Sequence, residues 1–142
     1  MTKSKEKETK IPLNKRYTLG EEIFNSVSHG VGALLAIAGT VVLIVMTALY
    51  SDPWGVVSSA IYGGTLIILY TMSTLYHAIT NEKAKQVMRV MDHVTIFLLI
   101  AGTYTPITLV TLRGTLGWVL FGFIWGAAAL GIVLNAIDLE RF

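Results

Sequence analysis

The sequence predicts an all-α protein, a polytopic bundle of transmembrane helices with four spans. Hydrophobic residues make up 54% of the 142 residues and charged residues only 14%, and the mean hydropathy is +0.64. The apolar residues fall into runs of the length, about 20 residues, that a helix needs to cross a bilayer. A soluble domain would need a polar helix face toward water. We therefore expect a multi-pass protein of the cell membrane.

Residues 1–20 are predicted to be a polar, basic cytoplasmic tail, and residues 21–142 to be the membrane domain. Six of the eleven Lys and Arg residues lie in the first sixteen positions. The net charge of +2 arises mainly from this tail, so it does not indicate binding to nucleic acid. The chain has no cysteine, which excludes disulfides and thiolate metal sites.

Turn-forming and charged residues divide the apolar sequence into four segments. Asp52-Pro53 is a turn signal after the first segment. A polar stretch at 81–86 follows the second, and Arg113-Gly114 follows the third. The predicted spans are residues 27–50, 54–77, 90–112 and 116–137.

The charges of the loops predict the orientation of the chain. The tail and the second loop carry nine basic residues, among them Lys83, Lys85 and Arg89, whereas the first and third loops carry only Arg113. Basic loops remain on the cytoplasmic side of a membrane. We therefore expect a cytoplasmic N-terminus.

Small residues are frequent within the spans, as in Gly122 and Gly126 of the fourth. They allow helix backbones to approach closely in lipid. Packing within the chain is the favoured interpretation, and a dimer interface is the alternative.

Three groups of polar residues lie near span ends, where an ionisable side chain is a functional candidate. In the first group, Glu22, Asn25 and His29 are three and four residues apart and share a helix face. The alternative is a structural role, in which Glu22 and Asn25 cap or solvate the helix start and His29 bonds a neighbouring helix.

The second group lies at the end of the second span, where Ser73 and His77 are one helical turn apart. A neutral imidazole is a common zinc ligand, and a nearby hydroxyl can bond a metal-bound water or a substrate oxygen. Taken alone, a histidine at a helix end is more often a hydrogen-bonded structural residue.

The third group is Arg89, Asp92 and His93 at the start of the third span. An ion pair between Arg89 and Asp92 is the structural interpretation. In the functional one, Asp92 faces the bundle and orients and deprotonates a metal-bound water. The predicted topology brings His29, His77 and Asp92 to the same membrane face, where they can form one polar pocket.

At these residues the sequence resembles the hemolysin III family, the bacterial branch of the progestin and adipoQ receptor superfamily. The resemblance covers about residues 21–137 and rests on three motifs that occur in order at helix ends. The motifs are Glu22-x-x-Asn25-x-x-Ser28-His29, Ser73-x-x-x-His77, and Asp92 followed by Gly102 through Pro106.

The resemblance implies a seven-helix fold with a cytoplasmic N-terminus, of which this chain matches the first four helices. It implies a zinc ion held by three histidines, with His77 as one ligand. Asp92 would bond the zinc-bound water and act as general base, and Ser73 would support the site or its substrate. The implied activity is hydrolysis of a lipid amide, as in alkaline ceramidases. The alternatives are a cytolytic pore former and a non-catalytic membrane receptor or sensor.

The chain departs from the family pattern in its histidines. The remaining two ligands are expected from a His-x-x-x-His pair on a seventh helix, whereas this chain has only His29, His77 and His93. We expect a truncated form, with a natural four-helix protein as the alternative. The missing ligands would come from His29, from His93, from another protomer, or from none of these.

Overall fold

The computed structural model describes the backbone of residues 16–141 and the side chains of residues 16–137. The described residues form helices joined by short turns and contain no strand, so the all-α prediction is confirmed. Residues 1–15 of the predicted tail lie outside the described part. The helices are α1 Leu19–Tyr50, α2 Pro53–Ala78, α3 Glu82–Pro106 and α4 Thr115–Arg141, and a π-helical turn, Ile107–Thr111, follows α3.

The first three helices each begin at a side chain that accepts a hydrogen bond from a first-turn amide. The Thr18 hydroxyl accepts from the Glu21 amide at 3.3 Å, and the Glu21 carboxylate accepts from the Thr18 amide at 2.7 Å. Asp52 accepts from the Gly55 amide at 3.1 Å, and Asn81 caps α3 in the same way. These caps satisfy amides that have no partner within the helix.

Helices α1 and α3 begin before the predicted spans do. α1 starts at Leu19 instead of residue 27, and α3 starts at Glu82 instead of residue 90. The apolar pattern marks only the part of a helix that lies in lipid, whereas the caps set where the helix starts. About 20 residues cross the hydrocarbon core at 1.5 Å per residue. Counting back about 20 residues from Tyr50, we expect the first turns of α1 to lie outside the hydrocarbon core.

The helices stand in a row in chain order, each packed against its sequence neighbours. All four are long and apolar enough to cross a membrane. Within the apolar stretches, 28% of α2 and 39% of α3 is buried, against 6% of α1 and 11% of α4. The two middle helices therefore form the centre of the row. The outer helices present large apolar side chains, such as Leu34 and Phe123, which a lipid environment solvates.

Two glycines allow the helices of the row to pack closely. A side chain at Gly63 of α2 would overlap Thr40 of α1, and one at Gly102 of α3 would overlap Thr65 of α2. Close backbone approach of this kind is how helices associate in lipid.

One end of the row, formed by residues 51–54 and 111–118, is called here the Asp52 end. The Asp52 carboxylate pairs with Arg113, and both side chains are exposed, at 38% and 49%. The hydrogen bond from Arg113, with a second from the Gly55 amide, lowers the pKa of Asp52 below its usual value. The rings of Trp54 and Trp118 meet edge to face, with centroids 5.4 Å apart. Such aromatic side chains favour the membrane interface.

Candidate functional site

The opposite end of the row, formed by residues 17–29 and 73–92, is called here the His77 end. Because successive helices run in opposite directions, the start of α1, the end of α2 and the start of α3 meet there. All three groups of polar residues singled out in the sequence lie at this end.

A buried ionic cluster joins the three helices at the His77 end. Nδ1 of His77 on α2 lies 2.7 Å from Oε2 of Glu22 on α1. The other oxygen of the same carboxylate, Oε1, lies 2.7 Å from Nζ of Lys85 on α3. The three side chains are 8%, 12% and 2% exposed. Since a carboxylate accepts hydrogen bonds but does not donate them, the proton between His77 and Glu22 lies on Nδ1.

Lys85 is held by more than its charge partner. Its ammonium group donates to the carbonyl oxygens of Tyr76 at 3.0 Å and Ile79 at 3.2 Å. Nζ also lies 5.0 Å from the centre of the Tyr76 ring, a favourable position for a cation. Carbonyls at a helix C-terminus have no partner within the helix and attract cations. Lys85, in the first turn of α3, therefore caps the C-terminal end of α2.

A second polar contact lies beside this cluster. Nδ1 of His29 on α1 and the hydroxyl of Ser73 on α2 share a hydrogen bond, and Ser73 is 4% exposed. The rings of His29 and His77 are edge to face, with centroids 5.9 Å apart. The structure thus brings His29, Ser73 and His77 together, and Ser73 pairs with the histidine of the neighbouring helix.

The remaining residues of the first motif serve α1 itself. The Ser28 hydroxyl donates to the carbonyl oxygen of Asn25 at 3.1 Å and is exposed. Asn25 is half-buried. Of the four motif positions, Glu22 and His29 make the side-chain contacts with α2.

The residues of the third group, Arg89, Asp92 and His93, also differ in the contacts that they make. The ion pair between Arg89 and Asp92, which was the structural alternative for this group, does not form, and the Asp92 carboxylate makes no hydrogen bond or ion pair with residues 16–137. Arg89 is buried. His93 shares a hydrogen bond with the Arg89 carbonyl oxygen, 2.8 Å from Nδ1, one turn back on its own helix. Within the described part of the chain, Asp92 therefore keeps a carboxylate without a partner.

The described residues do not complete a metal site. No group of three or more His, Asp or Glu side chains among residues 16–137 is arranged to hold a metal ion. His29 and His77 are neighbours, but each has its Nδ1 engaged, by Ser73 and by Glu22. A structural zinc site needs four ligands and a catalytic one three protein ligands.

A cavity of about 310 Å³ lies next to the ionic cluster, between the start of α1 and the end of α2. Glu22, His77 and Lys85 form its polar side. Its other walls are mainly apolar. A cavity of this composition suits a molecule with a polar group and an aliphatic chain. The apolar lining residues include Leu19, Ile23, Val27, Ala78 and Ile79.

Lys85 is the member of the cluster that sequence reasoning missed, because it was counted only among the basic residues of a loop. The signal was present in its spacing. Lys85, Arg89 and Asp92 are four and three residues apart, which places them on one face of a helix. These residues share a face only if α3 already includes Lys85, that is, if α3 begins after the Asn81 cap and well before the apolar run.

Comparison with known proteins identifies the family. Residues 17–142 match the family described as haemolysin-III related. The chain is 44% identical over 126 residues to the hemolysin-3 homolog of Bacillus subtilis, covering 89% of this chain and 59% of that protein. It is 43% identical over 122 residues to hemolysin-3 of Bacillus cereus, covering 86% and 56%.

A more distant relative is the human monocyte to macrophage differentiation factor, 29% identical over 138 residues, covering 92% of this chain and 57% of that protein. The chain thus spans somewhat more than half the length of these relatives. No solved structure matches the chain. Four spanning helices and a family match over residues 17–142 lead to one conclusion. This chain belongs to the haemolysin-III-related family of multi-pass membrane proteins.

Proposed function

We propose that the protein acts as a zinc-dependent hydrolase of lipid amides at the cytoplasmic face of the membrane, with His77 as one zinc ligand. The observation that carries the proposal is the contact between His77 Nδ1 and the Glu22 carboxylate. Histidines that bind metals usually donate their second ring N–H to such a group. The contact leaves Nε2 of His77 as the nitrogen with a free lone pair.

The other residues of the family motifs take supporting roles in this proposal. The Asp92 carboxylate has no partner among the described residues, which leaves it able to accept a proton from a water molecule. Ser73 is bonded to His29, so its proposed role is to hold the neighbouring imidazole and the substrate side of the site. Both roles follow from the resemblance and stay predictions.

The proposal requires ligands from outside the described residues. Among the histidines, all of which are described, only His29 lies beside His77, and the two fall short of the three protein ligands of a catalytic zinc. The resemblance assigns two ligands to a His-x-x-x-His pair that residues 1–142 do not contain. A second protomer is the other source. In this proposal the remaining ligands come from a second protomer or from residues outside 1–142, and zinc is expected in protein that retains them.

A lipid is the proposed substrate because of where the cavity lies. Its polar side consists of Glu22, His77 and Lys85, whose two charges balance, and its other walls are mainly apolar. The cavity lies at the start of α1, which we expect to lie outside the hydrocarbon core. A neutral amide head can lie against the polar side while an aliphatic chain follows the apolar wall. The basic residues of the tail and of the loop at 79–86 favour a cytoplasmic position for this end.

Lysis of membranes is the competing function, in line with the printed name of the Bacillus cereus relative. The packing of the described helices gives it no support. Buried hydroxyls in α2 and α3, such as those of Ser58, Thr65 and Thr105, donate to carbonyls of their own helices. Glycines close the contacts between the helices. A water-filled path needs polar groups that remain open to water.

The zinc content of the purified protein tests the proposal. Elemental mass spectrometry is expected to find about one zinc per chain, and His77→Ala is expected to lose it. His93→Ala is the matched control, because His93 bonds its own helix backbone and its loss should leave the zinc in place. Wild-type protein without zinc, or equal zinc in His77→Ala, would contradict the proposal.

A further inference from the structure

We infer that Glu22 is a positioning residue for His77 and that Lys85 anchors Glu22 in that role. The three side chains come from three different helices, and the carboxylate is the bridge between the other two. The result of the arrangement is a fixed tautomer: His77 carries its proton on Nδ1 and leaves Nε2 unprotonated. The inference deepens the proposed function, which needs Nε2 of His77 as a ligand.

The first step concerns the choice of tautomer. A neutral histidine in water favours the proton on Nε2, and in a protein the hydrogen-bond partners decide which nitrogen carries it. Oε2 of Glu22 lies 2.7 Å from Nδ1, which is the length of a strong charge-assisted bond. His77 is 8% exposed, so water competes little for that nitrogen.

The second step concerns the position of the carboxylate. A glutamate with one partner can rotate about its side-chain bonds. Here Oε1 is held 2.7 Å from the Lys85 ammonium, and that ammonium is in turn held by the carbonyl oxygens of Tyr76 and Ile79. Lys85 is 2% exposed. The backbone at the end of α2 therefore fixes Lys85, Lys85 fixes Glu22, and Glu22 fixes the imidazole.

The closed contact path gives Lys85 a role beyond its bonds to the carbonyls at the end of α2. A buried ion pair is weak evidence for stability, because desolvation offsets the attraction between the charges. A simpler packing of the three helices would place apolar residues at both positions. The charges are better explained by the imidazole that they orient.

Nuclear magnetic resonance of ¹⁵N-histidine-labelled protein in detergent micelles reads the tautomer directly. The chain has three histidines, and the His77 signals are those missing from His77→Phe. We expect a protonated Nδ1 and an unprotonated Nε2 for His77. His93 is an internal reference, because its Nδ1 faces a backbone carbonyl and should be protonated in every variant.

The decisive variant is the double substitution Glu22→Met/Lys85→Met, which removes both charges and keeps the volume, so that the fold is not left with one buried charge. The His77 proton is expected to move to Nε2 in most molecules. The single variant Lys85→Met should give a smaller loss of the Nδ1–H form. The matched control is Glu21→Gln/Lys83→Met, an exposed acid and base in the same two segments. Glutamine keeps the capping box of α1, so His77 should be unchanged.

An Nε2–H signal for His77 in the wild-type protein, or an unchanged signal in the double variant, would overturn the inference. An unchanged signal in Lys85→Met would remove Lys85 from it. These measurements involve neither metal nor lipid turnover. A fixed tautomer without bound zinc would therefore contradict the proposed function alone, and bound zinc without the tautomer would contradict this inference alone.

Discussion

The two ends of the helix row each contain an ion pair, and the pairs differ in what surrounds them. At the Asp52 end, Asp52 and Arg113 are 38% and 49% exposed. Within residues 16–137, each pairs only with the other and with nearby backbone. At the His77 end, Glu22 and Lys85 are 12% and 2% exposed, and the carboxylate also holds an imidazole.

An exposed pair is solvated and contributes little, whereas a buried one is costly unless each group is fully bonded. The comparison indicates that charge joins two turns between helices at the Asp52 end and holds an imidazole in place at the His77 end. Two ion pairs in one small membrane domain can thus differ both in burial and in the groups that they hold in place.

The largest expected difference between the ends is the side of the membrane on which each lies. The chain has no cysteine, so single cysteines introduced at exposed Lys83 and Thr115 report the two sides without background. In intact cells a membrane-impermeant maleimide should label Thr115→Cys and leave Lys83→Cys unlabelled until the cells are opened. Labelling in the reverse pattern would invert the orientation, and labelling of both in intact cells would break the four-span topology.

The next largest effect is expected from Lys85→Met, which leaves the Glu22 carboxylate buried without its cation. Breaking a buried pair in this way costs about 3–5 kcal/mol, and the double variant Glu22→Met/Lys85→Met should recover most of that loss. Unfolding in detergent, followed by circular dichroism, measures both. Arg113→Met is the comparison at the other end and should have a small effect. Equal losses for Lys85→Met and Arg113→Met would erase the contrast between the two pairs.

A smaller loss is expected from Gly117→Ala, because the Asp52 end is held by close backbone packing. A methyl group at Gly117 would overlap the carbonyl oxygens of Thr108 and Leu112. Forcing extra volume into a packed site costs about 1–3 kcal/mol. Gly122→Ala on the same helix meets open space and should be neutral in the same unfolding measurement. If both variants are neutral, the turn at the Asp52 end is looser than the structure shows.

The smallest effect is the pH dependence of the Asp52 pair. The Arg113 hydrogen bond lowers the pKa of Asp52, so the folded protein favours the ionised form. The resulting stability is present above the ordinary aspartate value of about 3.9 and is lost as the pH falls through the lowered value. Asp52→Asn keeps the helix cap and removes the charge. The unfolding temperatures of wild type and Asp52→Asn should differ slightly at pH 7 and converge at strongly acidic pH. A constant difference would assign the effect to something other than ionisation.

The fold was largely predictable because the bilayer imposes a simple rule on composition. Apolar runs and turn signals such as Asp52-Pro53 identify four helices without any knowledge of packing. The residues at which the helices begin were harder to predict from the sequence. Thr18 and Asn81 cap helices in polar sequence where hydropathy carries no signal.

Most of the residues of the candidate site could be predicted from the sequence. The contacts between their side chains could not. Spacing and topology placed Glu22, His29, Ser73 and His77 at one end. The pairing of His77 with Glu22 and of Ser73 with His29 depends on the rotation of α1 against α2. Sequence periodicity predicts which residues share a face of one helix. It does not predict how that helix is rotated about its axis against a neighbouring helix. Lys85 was missed for a different reason: hydropathy does not show that α3 begins at the Asn81 cap, so Lys85 was assigned to a loop.

The most direct test of the contrast between the two ends is zinc affinity after each ion pair is removed. Glu22→Met/Lys85→Met removes the buried pair, and Asp52→Asn/Arg113→Met removes the exposed one. Competition with a chelator of known affinity measures how tightly each purified protein holds zinc. Loss of a carboxylate that supports a metal-binding histidine lowers affinity about 10–100-fold, and we expect that loss in the first variant, with wild-type affinity in the second. Equal affinity in the two variants would contradict the assignment of function to the His77 end.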